Sequence, residues 1–118
     1  MQYMILIYAD ELAWQKMPQD ELQTAYAAYM AYSQELVDAG VMRGGSELSP
    51  SSSATTLSLR NGEVVTTDGP YAETKEQLGG YYLIEVANLD DALAWARKCP
   101  GLQGGHLEVR PLMEGPAS

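Results

Sequence analysis

The chain opens on an unbroken apolar run, Tyr3-Met4-Ile5-Leu6-Ile7-Tyr8, closed by Asp10 and Glu11. A run without polar alternation predicts a strand covered on both faces. Pro18 and the acidic pair Asp20-Glu21 mark the start of a helix. Leu22, Ala25, Tyr26, Tyr29, Ser33, Leu36 and Val37 recur at three- and four-residue spacing, an amphipathic stripe that Gly40 ends. A second strand is expected over about Val41 to Leu48, loosened by Gly44 and Gly45, and the Ser49 to Ser53 tract follows as a short loop. Thr55 to Arg60 and Glu63 to Thr67 flank Asn61-Gly62, the pair a tight hairpin turn demands because both central positions need positive φ. Gly80 to Val86 reads as another strand. Asp90 and Asp91 at one end, Arg97 and Lys98 at the other, and Leu89, Ala92, Leu93, Ala96 and Cys99 between them predict a second helix, stopped by Pro100-Gly101. His106 to Met113 makes the last strand.

The resulting order is strand, helix, strand, hairpin, strand, helix, strand. Two split βαβ halves with an inserted β-hairpin describe an α+β, ferredoxin-like sandwich spanning residues 1–118 as one domain. Both helices would cover one face of the sheet. The first strand and the strand from Gly80 are apolar on both sides, so the other face needs a cover as well. A second copy of the chain supplies it, as a two-fold homodimer with sheets packed face to face.

Composition narrows the partners. The formal net charge is -9, a field that repels phosphate backbones and acidic membrane surfaces, so no nucleic acid and no membrane are expected. No run of about 18 apolar residues exists to span a bilayer and no basic leader precedes the first strand, which points to the cytoplasm. Cys99 is the single cysteine, and no His, Cys or carboxylate cluster has ligand spacing, so neither a metal nor another cofactor is expected. Phenylalanine is absent, and eight tyrosines with two tryptophans supply the aromatic bulk. Buried tyrosine hydroxyls need partners, so several should line a cavity, an interface or the core edge.

Candidate chemistry concentrates in the polar stretch from Thr67 to Tyr82, which lies between two apolar runs. Asp68 precedes Gly69-Pro70, where an aspartate either bonds nearby backbone amides or, if buried, serves as a general base. Glu73 and Glu76 are placed to pair with Lys75 or Arg43, or simply to face solvent. Thr74 and Gln77 have capping-box spacing, so one helical turn is expected here, with Lys75 beside its amides to attract an anion. His106 is the single histidine, a residue type suited to proton transfer, and becomes an acid–base candidate if it pairs with Asp68 or Glu108; otherwise it is a surface or packing residue. Arg43 and Arg110 either neutralise carboxylates or bind an anionic ligand. Gly44-Gly45, Gly79-Gly80 and Gly104-Gly105 lack a phosphate-loop context and fit tight turns or bulges.

The segment from Asp68 to Gly80 resembles the YCII-related family in its DGPF-containing branch. Ala39-Gly40-Val41, Gly44-Gly45, Ser52 to Thr56, Cys99-Pro100 and Glu108 to Pro111 extend the likeness over most of the chain. Tyr71 stands where that motif has phenylalanine. The resemblance implies a small bacterial protein built as a dimeric ferredoxin-like α/β barrel, some relatives being encoded beside extracytoplasmic-function sigma factors. It also implies, through the shorter YCII branch, a catalytic His and Asp pair and a relative that eliminates chloride from a chlorinated hydroxyquinol. The helix from Asp20 to Ala39 contains no histidine, so that pair is not carried over.

Two functions therefore stand. In the first, a small molecule binds between helix, sheet and the Asp68 to Leu78 loop. Tyr29, Tyr71, Tyr82, Arg43 and Lys75 contact it, and Asp68 or His106 is the base for an elimination or hydrolysis of a hydroxylated aromatic or lactone-like compound. In the second, the chain is a non-catalytic regulatory module whose loop docks a partner such as a sigma factor; a third, structural reading makes the loop a dimer latch alone. A pocket-facing Asp68 and Tyr71 would favour the first, a protruding loop the second.

Overall fold

Strand β1 (Gln2–Ala9) lies at the middle of a four-stranded antiparallel sheet ordered β2-β5-β1-β6, where β2 is Met42–Glu47, β5 is Gln77–Glu85 and β6 is Gly105–Pro111. The computed structural model describes residues 1–114. Helix α2 (Gln19–Asp38) crosses from β1 to β2, and α3 (Leu89–Ala96) from β5 to β6. The strands are thus connected as two interleaved βαβ halves of a mixed α+β fold.

The alternation of β1 divides the two faces. Tyr3, Ile5 and Ile7 point to the helices, with Tyr82 and Ile84 of β5 beside them, and pack on Tyr32 and Leu36 of α2, Ala92 and Ala96 of α3, and Cys99. Met4, Leu6 and Tyr8 share the opposite face with Leu83, Tyr81 and Leu78. On β6 that face is polar: Arg110, Glu108 and His106 stand opposite Met4, Leu6 and Tyr8.

Local chemistry fixes the ends. After α2, Val41 N–H reaches Leu36 O and Gly40 N–H reaches Val37 O, a Schellman closure. At α3, the Asn88 side chain accepts from Asp91 N–H. Asn61 and Gly62 hold φ of 50° and 82°, and the strands they join, β3 (Thr55–Arg60) and β4 (Glu63–Asp68), pair antiparallel as a separate two-stranded sheet.

The structure differs from the pattern reading in four places. A five-residue helix, α1 (Glu11–Gln15), follows β1, capped by the Asp10 carboxylate on Leu12 N–H. β5 begins at Gln77 rather than Gly80, because a bulge at Gly79 lets the ladder with β1 continue past the glycine pair. Residues 74–77 form no helical turn: Gln77 turns its side-chain amide to the Thr74 carbonyl and its oxygen to Glu11 N–H. Arg97 is the C-cap of α3, so the basic pair lies beyond its last turn.

Candidate functional site

The bulge and the glycines around it open a space on the helix-covered side of the sheet. Gly45, Gly79 and Gly80 put no side chain into it, and α2 cannot close down because Tyr26, Tyr29 and Ser33 project from its facing side. The result is a cavity of about 380 Å³. α1 forms the outer wall with Trp14, and Met42 and Glu47 of β2 and Tyr82 of β5 complete it.

The wall is built of aromatic rings fixed by hydroxyl bonds. Trp14 meets Tyr26 edge to face at 5.4 Å, and Tyr82 meets Tyr32 in the same way at 5.3 Å. The Tyr26 hydroxyl donates to Glu47 Oε1 at 2.9 Å. Ser33 Oγ and Tyr82 Oη share a hydrogen bond of 2.8 Å. Burial pushes the Tyr26, Tyr29 and Tyr82 phenols above their ordinary value, so all three remain neutral hydroxyls near pH 7.

α1 itself is clamped in place. The Glu11 carboxylate accepts Ser51 N–H and Ser51 Oγ–H, each at 2.7 Å. Glu11 N–H donates to Gln77 Oε1 at 3.1 Å. The Ser49–Ser53 tract, which carries a short 3₁₀ turn at Ser51–Ser53, and the polar loop thus both support the cavity wall from outside.

Of the residues singled out in the sequence, Tyr29 and Tyr82 line this cavity. Asp68 lies on a second, shallower depression, with Ser51, Gly69, Glu73 and Thr74. Tyr71 projects outward, 92% exposed, and Lys75 lines neither hollow. Arg43 pairs with Glu85 at 3.2 Å instead of a loop glutamate. His106 pairs through Nδ1 with Glu76 at 2.7 Å, not with Asp68 or Glu108, and is solvent-exposed on the open sheet face. Trp14, Tyr26, Ser33 and Glu47 of the wall are not among the site residues that sequence reasoning picks out. Tyr26, Tyr29 and Ser33 at spacings of three and four on one helix face were the signal for part of the set.

Among the described residues, no group of His, Cys, Asp and Glu side chains gathers to hold a metal, and no helix is long and apolar enough to cross a membrane.

The YCII-related domain family matches residues 1–115. An uncharacterised protein of Rhizobium meliloti (strain 1021) is 40% identical over 114 residues, covering 95% of this chain and 92% of the relative. Among solved structures, 5-chloro-2-hydroxyhydroquinone dehydrochlorinase (TftG) from Burkholderia phenoliruptrix AC1100, in complex with 2,5-dihydroxybenzoquinone, superposes with a TM-score of 0.56. It is 17% identical, and the match covers 98% of this chain and 96% of that one.

Proposed function

The chain belongs to the YCII-related family, and within it we propose that it binds a small organic molecule in the cavity bounded by α1, α2, β2 and β5. The observation that carries this is the wall itself. A volume of about 380 Å³ lined by Trp14, Tyr26, Tyr29 and Tyr82 has the size and the apolar character of a ligand site. A few hydroxyls and the Glu47 carboxylate supply orientation.

The reading extends to proton transfer at the bound molecule, in an elimination or hydrolysis. The structural neighbour is by name a dehydrochlorinase, which supports elimination as the class to test first. Glu47, on the wall and oriented by the Tyr26 hydroxyl, takes the role of base in place of Asp68 or His106.

Thermal unfolding against a panel of phenols, amines, lactones and carboxylic acids tests binding. A ligand at 100 times its dissociation constant adds about 2.7 kcal/mol, which moves the midpoint by several degrees. Binders then go to turnover assays. A hit that survives Trp14→Ala unchanged removes the cavity from the proposal.

The same reading includes a homodimer closed over the open sheet face, as a dimeric α/β barrel. Met4, Leu6, Tyr8, Tyr81 and Leu83 support it, as does a radius of gyration of 16.5 Å, against about 13.5 Å for a compact chain of this length. The hairpin adds Leu57, Leu59 and Val64, each more than 60% exposed.

A second reading concerns the polar loop alone. Tyr71 stands 92% exposed and outside both hollows, the arrangement expected of a docking element. A basic partner, such as an extracytoplasmic-function sigma factor, suits the net charge of -9. Surface-plasmon binding to an extracytoplasmic-function sigma factor, lost in Tyr71→Ala, is the expected outcome; no binding by the unmodified chain rejects it.

A further inference from the structure

The charge on the cavity wall narrows the ligand further. Three carboxylates stand on the wall, those of Asp10, Glu11 and Glu47, and no lysine, arginine or histidine does. Two of the three are engaged by the fold: Asp10 caps α1 through Leu12 N–H, and Glu11 holds Ser51. Glu47 takes a neutral donor, the Tyr26 hydroxyl, on Oε1. Among the described residues the ion pairs are Arg43–Glu85 and His106–Glu76, so Glu47 takes part in no ion pair.

The aromatic rings act in the same direction. An aromatic ring carries negative potential on its faces, which attract a cation, and Trp14 and Tyr26 are fixed by their edge-to-face contact at 5.4 Å. The phenols stay protonated, since burial raises Tyr26, Tyr29 and Tyr82, so they bring no positive charge and no phenolate. The whole molecule carries -9. An anion entering here meets carboxylates, ring faces and an unfavourable long-range field together. A neutral molecule gains only burial and neutral hydrogen bonds. A cation gains all three electrostatic terms and supplies Glu47 with a counter-charge.

We infer that the cavity takes an organic cation, a protonated amine or quaternary ammonium on an apolar body, with its charge at the Glu47 and Tyr26 edge and its body against Trp14, Tyr29 and Tyr82. The inference rests on the binding reading above and specifies its ligand class. It departs from the sequence readings in which Lys75 attracts an anion at the polar loop, or Arg43 and Arg110 bind an anionic ligand, because none of the three lines this wall.

Three probes of one skeleton separate the possibilities: phenethylammonium, 2-phenylethanol and phenylacetate, titrated calorimetrically into the full chain at low and physiological salt. Glu47 is solvent-exposed, so the expected result is phenethylammonium tighter than the alcohol by up to about fivefold at low salt, the worth of an exposed ion pair, with phenylacetate weakest. Glu47→Gln, verified as folded by its thermal midpoint, should bring the ammonium down to the alcohol and leave the alcohol within about twofold. Equal binding of ammonium and alcohol, or tighter binding of phenylacetate, overturns the cation class while the cavity stands as a binding site. No heat from any probe, together with an unperturbed Trp14 indole signal by NMR, overturns the inference and the binding reading together.

Discussion

Glu11 and Ser51 are 40 residues apart in sequence, yet one carboxylate takes both the backbone N–H and the hydroxyl of one serine, each at 2.7 Å. α1 is only five residues long and buries no side chain fully, so it has little packing of its own to hold it. The clamp is what turns an isolated helical turn into a cavity wall. Hydrogen bonds to a charged group contribute about 1.5–3 kcal/mol. Ser51→Ala removes one of the pair and is expected to lower the unfolding midpoint by several degrees. Glu11→Ala removes both and should cost more, and the Glu11→Ala/Ser51→Ala double variant should be no worse than Glu11→Ala alone. Additive losses in that double-mutant cycle reject the clamp.

Gly101 sets the position of Tyr29. A Cβ at residue 101 would lie 2.7 Å from Tyr29 Oη and 2.8 Å from Ile7 Cγ2, closer than real Cβ contacts allow. Gly101→Ala therefore drives the Tyr29 ring towards the cavity or parts the 3₁₀ turn at Pro100–Gln103 from the sheet. Overpacking of this kind costs about 1–3 kcal/mol. If Tyr29 moves, ligand binding falls more than stability does; Gly101→Ala combined with Tyr29→Phe should recover part of the lost stability. No recovery would place the strain on Ile7 instead.

Alkaline stability follows from the buried phenols. Burial holds Tyr29 and Tyr32 above the ordinary tyrosine value of 10.0, and Tyr82 shifts the same way. In the unfolded chain these groups lose protons from about pH 10 upward, while the folded chain keeps them. The unfolded state then binds fewer protons, so the stability these phenols contribute is complete below pH 10 and declines as pH rises through the folded values. Each fully protected tyrosine adds a slope of up to about 1.4 kcal/mol per pH unit. Urea unfolding at pH 8 and at steps above 10 should show this decline, and Tyr32→Phe should flatten it. A flat profile in the unmodified chain contradicts the burial of these hydroxyls.

How far the sequence reveals the structure depends on whether the signal is local. α2 is legible because its stripe repeats at helical spacing, and the hairpin because Asn61-Gly62 needs only its own φ angles. α1 is not: Asp10-Glu11 reads equally as the polar end of a strand, and five residues are too few to show a period. Gly79-Gly80 reads as a boundary, which sets the start of β5 too late, although the bulge carries the ladder back to Gln77. The cavity draws on α1, α2, β2 and β5 at once, so only tertiary contact brings Trp14 and Glu47 to Tyr26. The polar loop concentrates charge in the sequence, but in the fold it acts as support: Gln77 ties Thr74 to Glu11.

The open face of the sheet gives the last prediction. Leu83 stands between Met4 of β1 and Gly44 of β2 on that face, at the middle of the apolar patch. In a monomer a lysine here would reach water and unfold nothing. In a face-to-face dimer it would bury an unpaired charge, a cost of several kcal/mol at the interface. Sedimentation of the unmodified chain is expected to give twice the 12.9 kDa chain mass, and Leu83→Lys the single mass with its helical circular dichroism retained. An unmodified chain that sediments at 12.9 kDa at micromolar concentration removes the dimer. Loss of helical signal in Leu83→Lys would show instead that one chain does not stay folded without its partner, and Leu6→Lys on the neighbouring strand would then unfold it in the same way.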